Sequence, residues 1–496
     1  VTRGLTHRLR AGLPVLVVAG LLGLVTFQAW AYYFRLDLSL GPRVILQPWL
    51  LQRGFVMYEN VADLHSPLMP LSISALPLVF YDGLQQAKVV LVALLCCTTL
   101  LTFWAGQRSL GWLGGLGAAL FFVAWSPMFG FGKLWHESFL TPLYALLLLL
   151  YDASAPRRKA PFFLCVGLIG GIAILVKQHA AIVFAAFVVW SALASWSCYR
   201  SMPRILRETG LMIGGAVVPV LAYAIWQYAR AGTLQGLLYW TLVYNLTSEY
   251  KSLAALPPSL SQVGVIVSSC LLAPVALLYL IESRRRGDKL WLSLGWGLTL
   301  LATSSLTLYP RFGFFHLQPA LPAIAWLSSL TLDRALRSND SPRVFVTGVA
   351  LSLSFYWLIM AGSTYQRITQ VDPPRKIWEY SDLMPLAAEI RRHVGTTDCV
   401  YVFPDDEATA NLYYLMRCLP PRSWIFHYPW YMSGPIKSRI LQTLEDDPPV
   451  WIIHFPGRWD VERHAPEIMD YISTHYQRVA ELHWAQGQAW LLRRSS

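Results

Sequence analysis

Apolar runs long enough to cross a bilayer, about 20 residues each, recur from Pro14 to Ala361, separated by short polar stretches rich in Lys and Arg. The pattern predicts about eleven membrane-crossing helices. The first covers Pro14 to Tyr33 and the last Val344 to Ala361. Basic residues precede the first span in "VTRGLTHRLR". They return at Arg108, at Arg157, Arg158 and Lys159, at Arg200, Arg204 and Arg207, at Arg284, Arg285, Arg286 and Lys289, and at Arg334, Arg337 and Arg343. Short basic loops stay on the cytoplasmic side, so these clusters set the parity of the crossings. The N-terminus is expected in the cytoplasm. Phe34–Gln86, Met128–His136, Lys177–His179, Arg230–Leu260, Tyr309–His316 and everything from Gly362 onward are expected outside. "PLMPLSISALPLVF" (Pro67–Phe80) is too short to cross, its prolines interrupt a regular helix, and the parity leaves no crossing for it. It is expected to lie along the membrane within a long first external loop, 34–86.

After residue 361 the pattern changes. "SDLMPLAAEIRRHV" has helical apolar spacing and a Ser381 start signal. "CVYVF" and "VWIIHF" are short β-rich runs, "ERHAPEIMDYISTHY" is again helical, and "QAWLLRR" reads as a last strand. Helix and strand alternating in this way predict a small extracytoplasmic α/β domain over 362–496, behind a membrane module over 1–361. The expected fold class is a mainly α membrane protein with that appended domain.

Composition sharpens the class. The 496 residues are 55% hydrophobic and only 14% charged, against roughly 25% charged in soluble domains, and the mean hydropathy is +0.43. The net charge of +12 sits mostly in the short loops, so it does not indicate nucleic acid. The apolar first run is too long for a signal-peptide core and lacks a clear small-residue cleavage site, which predicts a retained span. Cys96, Cys97, Cys165 and Cys270 lie in apolar runs, Cys198 just past one, and Cys399 and Cys418 in the polar tail. No zinc or redox spacing is present; a disulfide between the last two requires a tail outside the cytosol.

Ionisable residues near membrane spans are costly and usually carry a function or a partner. Here they gather at the expected outer mouths of the spans. Asp37 follows span one. Glu59, Asp63 and His65 stand in "GFVMYENVADLHSPLMPL". Lys133, His136 and Glu137 stand in "GKLWHESF", Lys177 and His179 in "LVKQHA", and Arg311 and His316 in "YPRFGFFHLQP". Together they could form a ring at the outer membrane surface. A carboxylate can take a proton from an acceptor hydroxyl, while Lys, Arg and His neutralise a departing phosphate. A lipid-linked phosphosugar presents its phosphate at that depth, and transfer with a general base and no covalent intermediate inverts the anomeric centre.

Plainer readings stand beside these. Asp37 could cap span one, Glu59, Asp63 and His65 could be a wet turn, and Glu137 could favour a helix N-terminus. Lys177 and Arg311 could each snorkel to the interface or contact phosphate, Arg311 in bidentate fashion. His179 and His316 could be structural, and Tyr58 could be packing. A carboxylate cluster could also hold a divalent cation, although the spacing matches no loop motif. "NLT" at Asn245 has the form of an N-glycosylation acceptor. Pro429-Trp430 could offer an aromatic face to a sugar or serve the core.

The sequence resembles the polytopic GT-C glycosyltransferases, especially the bacterial branch related to protein O-mannosyltransferases and lipid A aminoarabinose transferases. Asp37 stands where that family has an acidic residue after the first span. "GFVMYENVADLHSPL" is similar to its G-x-x-x-Y-x-D and H-P-P-L elements. "GIAILVKQHA" is similar to its G-[LI]-A-x-L-x-K element, and "YPRFGFFHLQPALP" to its late R-F-x-x-x-H-x-x-P-x-L-P element. The tail runs "DCVYVF", "LYYLMRCLPPR" and "DPPVWIIHF" look like the external α/β domain of many bacterial members. The resemblance spans nearly the whole chain. It implies a polyprenyl-phosphate sugar donor, a glycan, lipid or protein acceptor, and inverting transfer of a hexosyl or pentosyl group on the outer face of the cell membrane. It implies Asp37 as the catalytic carboxylate, with Lys177 and Arg311 near the donor phosphate and His136-Glu137 at a second acidic motif. Asn60 stands where the family has Asp, so Glu59 or Asp63 is a candidate replacement; Ser66 stands for the first Pro, and Pro67 still starts the helix. A transporter and a non-catalytic scaffold are the competing classes. Transporters favour repeats and midplane polar sites, and the ionisable groups here sit at external mouths.

Overall fold

The computed structural model describes residues 15–25, 27, 41, 43–76, 83–129, 134–150, 159–247, 263, 272–287, 290–306, 313–336, 380–395, 398–406, 408–421, 424–484 and 487–495. The chain divides into two units. One comprises Val1–Arg35, Lys88–Leu221 and Pro257–Pro373, and the other Leu36–Ala87, Ala222–Leu256 and Pro374–Ser496.

The first unit is helical. Among the described residues three helices are long and apolar enough to cross a membrane, Ala87–Trp125, Ala180–Tyr199 and Met202–Ala231; Val15–Val25, His136–Leu150, Ala160–Val176 and Leu290–Leu306 are shorter apolar helices. The expected last span, 344–361, lies outside the described residues. The run ending at Trp125 is not one rod. Gly111 has φ 78° and ψ −174°, a conformation open to glycine because it lacks a Cβ. A Cβ on Gly106 would lie 2.9 Å from the Gly114 carbonyl oxygen, and one on Gly115 would lie 2.7 Å from that of Phe103. Residues so far apart along a rod could not touch, so the run folds back at Gly111 as a helical hairpin. The basic-loop pattern placed a turn there, at 106–111.

Small residues bring a second pair of helices together. A Cβ on Gly167 would lie 2.1 Å from the Met212 carbonyl oxygen, one on Gly171 2.3 Å from that of Ala216, and one on Gly215 2.5 Å from that of Leu164. Backbone against backbone is how membrane helices associate when apolar burial alone offers no preference. It fixes the helix Ala160–Val176, and Lys177 is the extended residue that caps it (φ −155°, ψ 126°).

The second unit holds the sheet. Its strands are β1 (Val400–Phe403), β2 (Trp451–His454), β3 (Tyr476–Trp484) and β4 (Gly487–Arg494), in spatial order β1-β2-β4-β3. β1 and β2 are parallel, with Val400 opposite Trp451; β4 runs antiparallel to β2 and closes a hairpin with β3, Trp484 opposite Gly487. The predicted first tail helix is Tyr380–Val394, and the later helical run is divided into Val461–His464 and Pro466–His475. β1 and β2 are buried throughout, as short β-rich runs between covered faces should be.

The tail does not make its core alone. Leu46, Trp49, Met57, Tyr58 and Val61 of the first loop are buried in one cluster with Tyr413, Trp424, Phe426 and Tyr431 of the tail. The seam includes backbone pairing: Ala62 N donates to Trp424 O at 3.0 Å, and Trp424 N to Asn60 O at 2.9 Å. The expected membrane-lying helix begins after Pro67 and is described over Leu68–Ser74.

Candidate active site

In the helical unit, three residues from separate parts of the sequence meet. Glu137 lies in the first turn of His136–Leu150, Lys177 follows Ala160–Val176, and His316 lies in the 3-10 turn Phe314–Ala320 that leads into Leu321–Leu336. Lys177 Nζ donates to Glu137 Oε1. His316 Nδ1 lies 2.5 Å from the same oxygen and 3.2 Å from Lys177 Nζ. The side chains of Lys177, Glu137 and His316 are 5%, 3% and 13% exposed, and buried charges persist only when paired. The 3-10 turn is braced alongside them, since Ser138 Oγ donates to Gln318 Oε1 at 3.3 Å. His136 is buried beside Glu137. His179 forms the turn after Lys177, where its carbonyl accepts from Ile182 N. Span mouths expected on one side of the membrane thus supply all three members. Asp37, Lys133 and Arg311 lie outside the described residues.

In the second unit, the opening motif is organised around Asp63. Arg43 Nε and Gln47 Nε2 donate to its Oδ2 at 2.8 and 2.7 Å. The His65 backbone N and ring Nδ1 lie 2.9 Å from its Oδ1. Burial works against the charge on Arg43, but Asp63, with Tyr431 and Tyr428, more than offsets it and holds the guanidinium well above its ordinary value. Asp63 is buried, while the His65 ring keeps 26% exposure. Tyr58 is packing with a handle: burial, then Tyr223 and Asp63, push its phenol well above the ordinary value, and the hydroxyl donates to His65 O at 2.7 Å. Asn60 Oδ1 accepts from Val56 N at 2.9 Å, so the residue that departs from the family pattern closes a local turn. Glu59 is half-buried against Gly236. Asn245 is also committed, its amide donating to Leu64 O at 3.0 Å. Arg43 and Gln47 were not singled out from the sequence. They stand 20 and 16 residues before Asp63, Gln47 in the short helix Leu46–Gln52 and Arg43 just ahead of it, where no periodicity marks them.

The tail has a polar core of its own at the end of β1. His427 Nδ1 pairs with Asp405 Oδ1 at 2.8 Å, and Trp424 Nε1 donates to Asp405 Oδ2. Asp406 takes Arg458 Nε and Trp459 Nε1 on Oδ2, the latter at 2.6 Å. Trp430 stacks on Tyr428 with ring centroids 4.5 Å apart. Among the described residues no group of three or more His, Cys, Asp or Glu side chains is placed to hold a metal ion. Asp63 and Glu137 accept from guanidinium, amide and ammonium donors, which cannot share a cation as ligands.

Against solved structures, ArnT from Cupriavidus metallidurans bound to undecaprenyl phosphate matches with a TM-score of 0.62 at 13% identity, over 98% of this chain and 98% of that one. Its apo state matches equally, TM-score 0.62 at 12% identity over 97% and 98%. The chain has the GT-C fold. The more distant archaeal oligosaccharyltransferase AglB from Archaeoglobus fulgidus, in complex with an inhibitory peptide and a dolichol-phosphate, matches at TM-score 0.52 and 10% identity, over 98% of this chain and 75% of that one. No family model and no curated protein matches the chain. The GT-C fold accounts for the mainly helical membrane architecture and the small C-terminal sheet domain expected from the hydropathy pattern.

Proposed function

We propose that this chain is an inverting glycosyltransferase that moves a sugar from a polyprenyl-phosphate donor to an acceptor hydroxyl on the outer face of the cell membrane, with its N-terminus in the cytoplasm and its tail outside. The observation that carries the reading is the buried Glu137–Lys177–His316 cluster in a GT-C fold. A cation held at a helix end in a low-dielectric setting is suited to charge that develops on a leaving phosphate. The donor class is supported by the solved GT-C proteins, seen with undecaprenyl phosphate and dolichol-phosphate.

Asp37 is assigned as general base. It takes the proton of the acceptor hydroxyl as that oxygen bonds to the anomeric carbon. The bond from that carbon to the phosphate oxygen breaks, and its electron pair leaves with the phosphate. One displacement at one carbon inverts the configuration. Lys177, Arg311 and His316 take up the phosphate charge. Glu137 positions Lys177, with His136 packed beside it. Asp63 acts as a positioning residue for His65, which contacts substrate, and Glu59 is the other candidate carboxylate of that motif. The sugar is a hexose or pentose, and the acceptor a glycan, lipid or protein.

The test is mass spectrometry of lipid-linked sugars in cells with and without the protein. Deletion should accumulate one polyprenyl-phosphate sugar, and Asp37→Asn should reproduce the accumulation, with turnover lowered by about 10²–10⁴-fold while donor binding persists. Identical lipid profiles, or full complementation by Asp37→Asn, would overturn the reading.

A further inference from the structure

We propose that Cys399 and Cys418 are joined by a disulfide in the mature protein, a redox-dependent staple at the root of the tail domain. The proposal rests on the outward placement of the tail given above. Cys399 directly precedes β1, and Cys418 follows the helix Asn411–Leu415. Cys418 is buried and Cys399 exposed. The Cys418 thiol donates to the Asp398 carbonyl oxygen at 3.8 Å, so its sulphur lies against the residue that precedes Cys399. The Cys399 side chain is close enough to act on the Cys418 thiol, raising it further.

Arg391 holds the two cysteine-bearing segments together without a covalent bond. Its Nη1 donates to Gly395 O and Asp398 O, both at 3.0 Å, and its Nη2 donates to Met416 O and lies 3.8 Å from Cys418 Sγ. The Cys418 backbone N is fixed as well, donating to Tyr413 O at 2.9 Å. A disulfide demands close Cα atoms and facing Cβ vectors, and these bonds hold the two segments side by side. The other described cysteines, Cys96, Cys97, Cys165 and Cys198, lie in apolar helices. This pair alone among the described residues stands in the polar tail.

The chemistry is thiol–disulfide exchange with a protein disulfide oxidant of the extracytoplasmic space. Cys399, the exposed thiol, is the one an oxidant reaches. It forms a mixed disulfide, and Cys418 sulphur displaces the oxidant's thiol. Two S–H bonds are lost and one S–S bond forms; two electrons and two protons leave on the oxidant, now a dithiol. Burial raises the Cys418 thiol to about 12, which slows attack by that sulphur and makes it the poorer leaving group in reversal. The staple encloses 400–417, which carries β1, helix Asn411–Leu415 and the Asp405–Asp406 pair of the tail's polar core. Closing that loop restricts the unfolded chain.

The test uses the full-length chain. Intact cells are quenched with N-ethylmaleimide, and the protein is purified in detergent and digested without reductant. Mass spectrometry should find the Cys399 peptide joined to the Cys418 peptide, separable by dithiothreitol. Dithiothreitol should also lower the melting temperature of the wild type by roughly 5–10 °C and leave that of Cys399→Ser unchanged. Alkylation of both thiols in the quenched protein would overturn the proposal, and diamide treatment of the purified reduced protein then locates the error. A bond formed only with diamide means the sulphurs meet but the tail does not face an oxidising space, which removes the outward transfer reading too. No bond with either means the sulphurs do not meet, and the glycosyltransferase reading stands untouched.

Discussion

Asp63 and Glu137 are both buried carboxylates that hold one cation and one imidazole, yet their partner sets differ in kind. Asp63 accepts on both oxygens, with Arg43 and Gln47 on Oδ2 and two nitrogens of His65 on Oδ1. Arg presents a rigid planar fork that keeps its charge. Such a carboxylate has little capacity left for a ligand, and its effect is to fix the direction of His65. Glu137 receives Lys177 and His316 on the single oxygen Oε1. Lys is a flexible point charge with three N–H donors, and Glu137 Oε1 takes one of them. A saturated node built on Arg reads as framework. The asymmetric node built on Lys is the one proposed above to meet the donor phosphate.

The comparison breaks most visibly at Asp63. Asp63→Ala strips the buried Arg43 guanidinium of its counter-charge, and losing one member of a buried pair costs about 3–5 kcal/mol. The cost should appear as a lower unfolding temperature of the detergent-solubilised chain. Asp63→Asn keeps the shape and should fall between the two. An unfolding temperature unchanged by Asp63→Ala would show that the Arg43 pair is not framework. Next in size is Lys177. Lys177→Met should lower turnover by about 10²–10³-fold, the range for losing one charge-stabilising donor, and Lys177→Arg should restore only part because the fork cannot take the place of a point charge. If Arg43→Met lowers turnover per folded molecule more than Lys177→Met does, the two nodes have been assigned the wrong way round.

What the sequence discloses follows the same division. Ionisable residues at span mouths are legible because an apolar background makes each one costly, and Glu137, Lys177 and His316 stand out for that reason. The hairpin at Gly111 is legible from a basic loop. β1, β2 and β4 are legible because their apolar residues face a core. β3 is not, since it is an edge strand with many exposed positions, and neither is the helix Gly434–Asp446, whose Gly-Pro start reads equally as a turn. The partners of Asp63 are hidden for a different reason. The Arg43–Asp63 pairing depends on the first loop folding back on itself over 20 residues, and the Val61–Trp424 pairing on that loop meeting a domain more than 300 residues later; no local periodicity encodes either.

The smallest effect concerns a histidine without a carboxylate in hydrogen-bond contact. His454 ends β2, buried, with Nδ1 donating to Phe403 O at 3.2 Å and Glu462 Oε1 3.5 Å from Nε2. Burial lowers its basicity below the ordinary 6.5, and Glu462 and the Phe403 carbonyl only partly oppose this. The folded tail therefore holds the neutral ring, while the unfolded chain takes up a proton near 6.5. Its contribution is fully present above that value. It is lost as the pH falls from 6.5 towards the lowered folded value, with a slope of at most about 1.4 kcal/mol per pH unit. Thermal unfolding of the wild type should weaken over that acid range more than that of His454→Gln, which cannot titrate. Parallel acid limbs for the two proteins would mean that Glu462 compensates the burial in full.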